Sequence, residues 1–169
     1  MINKKVLIIN PFGTVYGSGI LKPTIPLGLL YLVSFLKKRD VKVSFYDALA
    51  EDSSRMIIKG SGKRFGASQK KIEKVIRSIN PDVVGIGTMF TAYFEDSIKL
   101  AKIVKNVNKK IVVVFGGSHV SVDPIAVLKE SKDVDIAVYG EGEETLLEIC
   151  KGKDLNKIDG IAYRNRNKI

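Results

Sequence analysis

Residues 111–119 read Ile-Val-Val-Val-Phe-Gly-Gly-Ser-His. An unbroken apolar run, at 111–115, is followed by two glycines. A short run without alternation predicts a β-strand buried on both faces, which is typical of a parallel sheet. Similar runs occur at residues 5–9 and 82–86. Two further stretches mix polar and apolar residues and suit the edges of a sheet, at 42–46 and 135–139. The sequence therefore predicts five strands, of which the quoted run is the fourth.

Helical patterns separate these strands, with apolar residues three or four positions apart. They lie at residues 27–38, 69–78, 91–107, 124–129 and 143–151. The first of them follows Pro26 and is apolar on nearly every side, so we expect it to be largely buried. The polar stretch 51–68 is long for a connection and is expected to be mobile or to run over the surface.

Strands that alternate with helices predict the α/β class, here a doubly wound, five-stranded parallel sheet in three layers. Edge strands at chain positions two and five favour the order 2-1-3-4-5, a flavodoxin-like and Rossmann-like arrangement.

Composition excludes several classes of protein. The 169 residues suit one domain, and the hydrophobic share of 45% is enough for a core. No apolar run has the roughly 18 to 20 residues of a membrane span. No signal peptide is visible, so we expect a cytoplasmic protein without membrane contact. The single cysteine, Cys150, excludes an iron–sulfur cluster held by this chain alone, and its helical position predicts a buried, inert thiol.

The net charge of +10 arises from 28 basic and 18 acidic residues. Such a charge suits nucleic acid, an anionic ligand or an acidic partner. The lysines are spread over predicted helix faces and ends, however, and the densest cluster, at 59–64, fits a solvated loop. Regularly spaced aromatic residues for stacking on bases are also missing, so nucleic-acid binding is not favoured.

Glycine-bearing loops follow four of the five predicted strands. In an open α/β sheet, ligands bind beyond the C-terminal ends of the strands, where the strand order reverses. The loops at this edge are 10–25, 87–91, 116–121 and 140–143. Glycines at each of them allow a bulky ligand to approach the backbone.

An ordered set of motifs leads to a family resemblance. The motifs are Lys-Val-Leu-Ile-Ile-Asn-Pro at 5–11, Pro-Leu-Gly-Leu-Leu-Tyr-Leu at 26–32, Asp47, Pro-Asp-Val-Val-Gly-Ile at 81–86, Phe-Gly-Gly-Ser-His at 115–119 and Gly-Glu-Gly-Glu at 140–143. The chain resembles the cobalamin-binding, N-terminal domain of cobalamin-dependent radical S-adenosylmethionine enzymes. That group includes methyltransferases and the anaerobic magnesium-protoporphyrin ester cyclases.

The resemblance implies a division of labour with a second domain. Residues 1–155 would be the cobalamin-binding domain, and 156–169 would be a linker to a radical S-adenosylmethionine domain in cis or in trans. The Cys-x-x-x-Cys-x-x-Cys motif of that domain does not occur in this sequence. The iron–sulfur cluster and S-adenosylmethionine would therefore belong to the other domain, and this chain would not be catalytic alone.

The resemblance also implies roles for individual residues. Gly116 and Gly117 would line the slot for the dimethylbenzimidazole tail, Thr88 would donate a hydrogen bond to that tail, and residues 10–19 would lie under the corrin. Glu141 and Glu143 would stand at the corrin edge, or would only complement the partial positive charge of a helix N-terminus. The complete predicted cofactor site is Asn10, Pro11, Phe12, Gly13, Thr88, Met89, Gly116, Gly117, Ser118, His119, Glu141 and Glu143.

Phe12 marks a departure from many other cobalamin proteins. Those proteins carry Asp-x-His-x-x-Gly after the first strand, and that histidine ligates cobalt from below. Here Phe12 falls at the histidine position, so the resemblance implies cobalamin bound with its base detached and no protein histidine on the metal. The only histidine, His119, is expected to make hydrogen bonds rather than to bind metal.

Other functions remain open at this stage. A response-regulator receiver is excluded, because Asn10 and Gly87-Thr88 stand where acidic residues are needed. Flavin binding has thin support from residues 13–18, and nucleic-acid binding rests on charge alone. A degenerate domain that serves only protein interaction is a further alternative. The substrate and reaction of a parent enzyme, and the oligomeric state, are not readable from the sequence.

Overall fold

The computed structural model describes residues 4–18, 21, 23–52, 55–57, 62–165 and 169. In chain order the elements are β1 (Val6–Asn10), β2 (Gly13–Tyr16), α1 (Leu27–Lys37), β3 (Val43–Asp47), β4 (Arg55–Ile57), β5 (Gly62–Phe65), α2 (Gln69–Ile79), β6 (Val83–Gly87), α3 (Phe94–Val107), β7 (Val112–Gly116), α4 (Ser118–Val122), α5 (Pro124–Glu130), β8 (Ile136–Val138), α6 (Glu143–Cys150) and β9 (Ile161–Tyr163). Two short 3-10 turns lie at Thr91–Tyr93 and Leu155–Lys157.

The central sheet has six strands in the order β3-β1-β6-β7-β8-β9. The first five are parallel, and β9 pairs antiparallel with β8. The predicted α/β fold with a mostly parallel, Rossmann-like sheet is confirmed. The five parallel strands lie in the order 2-1-3-4-5, each beginning one residue later than predicted.

Two hydrophobic clusters cover the two faces of this sheet. Successive residues of β1 alternate between them: Leu7 and Ile9 join the cluster under α2, α3 and α5, and Val6 and Ile8 join the cluster under α1 and α6. Because both faces are covered, the central strands read as continuous apolar runs rather than as alternating ones. The result is three layers, with the C-terminal ends of the parallel strands at one edge.

Helix α1 differs from its prediction. Only Val33 and Leu36 are buried, whereas Leu27 and Tyr31 are 72% and 64% exposed. The helix packs on the sheet with one face, and within the described part of the chain no further layer covers the apolar residues on its outer side. The expectation of a largely buried helix is therefore wrong.

The region predicted as a polar loop contributes two strands to a second sheet. Strands β2, β5 and β4 form three antiparallel strands in that order, with Gly13 opposite Phe65 and Met56 opposite Arg64. Residues 62–64 of the basic cluster are thus part of a strand rather than a solvated loop, and residues 58–61 lie outside the described part of the chain. The prediction failed because β5 is polar and basic and pairs with a strand about fifty residues away in sequence.

The segment assigned to a linker also contributes to the fold. β9 pairs with β8, with Ile161 opposite Val138. β8 was predicted to be an edge strand, and this pairing shows that it is not. Arg164 extends this attachment, because its backbone N–H donates to Asp135 O at 2.9 Å and its guanidinium donates to the carbonyl oxygens of Leu128 and Ser131. The folded unit therefore continues past residue 155, to at least Arg164.

Candidate functional site

A cavity of about 620 Å³ lies at the C-terminal edge of the parallel strands. Its walls come from the segments that follow β1, β6, β7 and β8, together with the first turns of α1 and α6. This volume is in the range of about 300–1,000 Å³ that is typical of small-molecule sites. The position is the one that the doubly wound topology predicts for a ligand.

One part of the cavity is an apolar slot between α1 and α6, on the sheet face that these two helices cover. We define the slot by its lining residues, which are Ile8, Leu29, Leu32, Gly85, Gly87, Val114, Gly116, Val138 and Leu146. Three glycines lie along its floor. Gly85 and Gly87 lie two residues apart on β6, and Gly87 is the sheet partner of Gly116 on β7. Where strands lack side chains, another group can lie directly on the sheet.

The glycines of the slot have different neighbours. A β-carbon at Gly85 would come within 2.7 Å of Ile8 Cδ1, and one at Gly87 within 2.8 Å of Leu29 Cδ1. At Gly116, by contrast, the nearest atom among the described residues is Val138 Cβ, at 3.9 Å. A side chain at Gly116 would thus have space in the protein itself and would occupy the slot.

Two buried hydroxyl groups line the cavity without partners. Thr88 and Ser97 are 2% and 1% exposed, and neither side-chain oxygen has a hydrogen-bond partner among the residues that the structure describes. An unpaired buried hydroxyl costs about 1–3 kcal/mol. Buried polar atoms in such a position are suited to hydrogen bonds with a ligand.

The first loop is fixed from behind by a buried polar cluster. Asp96, 2% exposed, accepts hydrogen bonds from Thr14 N at 2.6 Å and Thr14 Oγ1 at 2.9 Å. The Arg64 guanidinium lies 3.6 Å from the centre of the Phe12 ring and donates to Ala67 O at 2.8 Å. Burial lowers the pKa of Arg64, and the nearby charge of Asp96 opposes this shift. These contacts hold Phe12 and Gly13 against the cavity.

The residues predicted for the cofactor site are brought together, with one exception. Asn10, Pro11, Phe12, Gly13, Thr88, Met89, Gly116, Gly117, Ser118, Glu141 and Glu143 all line the cavity. His119 is not among its lining residues. Its Nδ1 is 2.9 Å from Thr91 Oγ1, and its ring lies 4.3 Å from that of Phe94. The helix that begins at Ser118 turns His119 towards α3. His119 therefore does not line the cavity, in contrast to the prediction.

Gly117 lines the cavity but is required for a reason within the chain. Its φ is +119°, in the region that favours glycine, and a β-carbon would lie 2.6 Å from the carbonyl oxygen of Thr88. The predicted reason, collision of a β-carbon with a ligand, therefore applies more directly to Gly116 than to Gly117.

Several lining residues were not predicted. Gly85 and Gly87 were visible as two glycines in the otherwise β-branched stretch 83–87, a pattern that indicates close approach to a strand. Ser97, Leu146 and Leu29 come from helices, and no local pattern distinguishes them from ordinary core or surface positions.

Cys150 takes no part in the site. It is buried in α6, and burial raises the pKa of its thiol to about 11. The thiol therefore stays protonated near neutral pH and is a poor nucleophile and metal ligand.

Comparison with known proteins identifies the family. Residues 13–150 match the B12 binding domain. The chain belongs to this family. It is 37% identical over 149 residues to an uncharacterized methyltransferase of Pyrococcus horikoshii, covering 85% of this chain and 29% of the relative. It is 32% identical to the cytidylyl-2-hydroxyethylphosphonate methyltransferase of Streptomyces wedmorensis, covering 97% and 32%, respectively.

A third relative belongs to the other predicted group. The anaerobic magnesium-protoporphyrin IX monomethyl ester cyclase of Rubrivivax gelatinosus is 31% identical, and the match covers 94% of this chain and 27% of the cyclase. The chain thus spans about a third of the length of these relatives. The predicted resemblance to the cobalamin-binding domain of methyltransferases and cyclases is confirmed.

A solved structure supports the fold alone. The methanol:cobalamin methyltransferase complex of Methanosarcina barkeri has a TM-score of 0.54 and 14% identity, over 92% of this chain and 50% of that one. Among the described residues, no helix is long and apolar enough to cross a membrane.

The site in this chain fits the cofactor that the family implies. Cobalamin combines a nucleotide arm, which ends in a flat heteroaromatic base, with a larger, amide-bearing corrin. The slot offers apolar walls and the open side of Gly116 to a flat arm. Thr88 and Ser97 offer hydroxyl groups to polar atoms of such a ligand. The residues of this cavity therefore fit a cobalamin ligand.

Proposed function

We propose that this domain binds cobalamin with its base detached, its nucleotide arm in the slot, and no protein histidine on the cobalt. The observation that carries the proposal is the slot, which ends beside a first loop that has Phe12 in place of a histidine. No histidine lines the cavity in the part of the chain that the structure describes. His119, the only one in the sequence, is engaged by Thr91.

Each part of the cavity has a role in this proposal. Gly116 provides the floor for the arm, while Thr88 and Ser97, near the strand ends, donate hydrogen bonds to polar atoms of the arm that lie outside the slot. The loop with Phe12 and Gly13 lies below the corrin, held by the Asp96 cluster. Around the mouth of the cavity the remaining predicted residues contact the corrin and its amides: Asn10, Pro11, Met89, Gly117, Ser118, Glu141 and Glu143.

We further propose that the domain serves a radical S-adenosylmethionine catalytic domain, which would hold the iron–sulfur cluster. The relatives are about three times as long as this chain, and the sequence has one cysteine, fewer than such a cluster requires. Ile25, Met89 and Phe90 line the cavity yet are 73%, 56% and 57% exposed. Such an apolar surface at the mouth suits contact with a second domain.

Bound cobalamin would supply a cobalt centre able to carry a methyl group, and this chain would position it. The chain alone would not catalyse a reaction, and the substrate would be chosen by the partner domain. A cytoplasmic location is part of the same proposal.

Titration of the purified chain with hydroxocobalamin tests the proposal. We expect saturable binding and a visible absorbance spectrum of the base-off form, at a pH where free cobalamin is base-on. Bound cobalamin that keeps its base-on spectrum would contradict the placement of the arm in the slot. Absence of binding at high micromolar cobalamin would contradict cobalamin binding itself.

A further inference from the structure

The residues that define the slot carry apolar side chains or none. The side chains that face it from the sheet are Ile8, Val114 and Val138, and those from the helices are Leu29, Leu32 and Leu146. Its glycine-bearing strand, β6, is paired on both sides, with β1 and with β7, so the backbone polar groups of the floor have partners. A buried polar group of a ligand would find no hydrogen bond from these six side chains.

The two unpaired hydroxyl groups belong to a different wall of the cavity. Ser97 lies on α3, which covers the opposite face of the sheet from α1 and α6. Thr88 directly follows β6 at the strand ends, and its backbone N–H donates to Gly116 O at 2.7 Å. Hydrogen bonding is therefore available near the strand ends, whereas the six slot side chains offer apolar contact alone.

We propose that this slot makes the domain selective for corrinoids whose lower base is a benzimidazole over those whose base is a purine. The inference rests on the proposed placement of the nucleotide arm in the slot. Dimethylbenzimidazole presents two methyl groups at its far edge, which match the leucine and valine side chains. Adenine presents an exocyclic amine and additional ring nitrogens, which would lose their hydrogen bonds to water without replacement.

Val114 is the residue on which this selectivity is best tested. It is 3% exposed, lies on the floor of the slot, and stands two residues before Gly116 on β7. Val114→Thr places a hydroxyl group in the slot at nearly constant volume. Val113→Thr is the matched control, because Val113 is equally buried on the same strand but belongs to the cluster on the other face.

The experiment measures dissociation constants of the full chain for three probes. They are cobalamin, its analogue with adenine as the base, and cobinamide, which has no base. We expect adenine to weaken binding on the order of 100-fold relative to cobalamin, as for other isosteres whose polar groups are buried without partners. Adenine is the weaker ligand for cobalt and detaches more easily, so the cost of detaching the base favours the adenine analogue. Weaker binding of that analogue would therefore arise in the slot.

The variants should then change the ratio of the two dissociation constants. Val114→Thr should reduce the preference for cobalamin about tenfold, while Val113→Thr should leave the ratio unchanged. Thermal melting of both variants controls for folding, and the ratio in the unaltered chain tests the selectivity even where a variant is unstable.

Three outcomes are decisive against the reasoning. Equal affinity of the unaltered chain for cobalamin and the adenine analogue, with both bound tightly, overturns the selectivity and leaves cobalamin binding intact. Failure of all three probes to bind overturns the proposed function itself. An equal change of the ratio in Val114→Thr and Val113→Thr removes Val114 from contact with the base.

Discussion

Replacing Gly116 and Gly117 one at a time should separate ligand binding from folding. The two glycines are neighbours at the end of β7, and both line the cavity. At Gly116 an added β-carbon meets Val138 Cβ only at 3.9 Å, an ordinary van der Waals contact, so the side chain of Gly116→Val would enter the slot. At Gly117 the β-carbon of Gly117→Ala would lie 2.6 Å from Thr88 O, in a backbone with φ of +119°.

The magnitudes follow from these contacts. Overfilling a packed apolar site costs about 1–3 kcal/mol, which corresponds to a loss of cobalamin affinity of about 5- to 150-fold for Gly116→Val. Gly116→Ala should fall between the unaltered chain and valine. Backbone strain at Gly117→Ala costs on the order of 1–3 kcal/mol of folding free energy. For a domain of this length, that lowers the melting temperature by roughly 2–12 °C.

Thermal melting of the free chain and cobalamin titration, run on the same preparations, give the two readouts. We expect Gly116→Val to melt close to the unaltered chain, because a β-branched residue suits a strand. We expect Gly117→Ala to show the lower melting temperature. Unchanged cobalamin affinity in Gly116→Val would show that the arm does not lie on this strand and would refute the slot.

Two further predictions concern the polar wall and the first loop. Ser97→Ala removes a buried hydroxyl that has no partner in the described part of the protein. The free chain should therefore be as stable as before or more stable, while cobalamin affinity falls several-fold. Lower stability without a change in affinity would assign Ser97 to the fold. Asp96→Asn weakens the charge-assisted hydrogen bonds to Thr14 and should lower the free energy of unfolding, measured by chemical denaturation, by about 1.5–3 kcal/mol. The control Glu95→Gln, at a side chain that is 78% exposed, should leave this free energy almost unchanged.

The strands of the central sheet could be predicted because burial on both faces leaves a local mark on the sequence. Their ends could not be placed exactly, since Asn10, Asp47 and Gly116 continue the backbone pairing without an apolar side chain. The second sheet was missed because its order comes from contacts between distant segments. Asp96 on α3 binds Thr14 on β2, and Arg64 on β5 covers Phe12.

The same distinction applies to the site. Loops with glycines after parallel strands predicted its location, and nearly all of the predicted residues line the cavity. Sequence could not show that Gly117 is needed for its positive φ and Gly116 for the space beside it, because both are simply glycines in a row. His119 was misplaced because α4, a five-residue helix, was not predicted.

Phe12 explains why the slot must provide most of the affinity in the proposed function. Its ring is 1% exposed, belongs to the core cluster on the α2 and α3 face, and carries the Arg64 guanidinium on its surface. A side chain held in this way is part of the fold and offers no lone pair to a metal.

In a domain where a histidine binds cobalt, that bond adds to the contacts of the nucleotide arm. In the proposed function no such bond forms, so the free energy of binding would come from apolar contact in the slot and from hydroxyl groups such as those of Thr88 and Ser97. We therefore expect changes in the slot to act directly on cobalamin affinity, because the proposed mode of binding has no cobalt–protein bond to compensate for them.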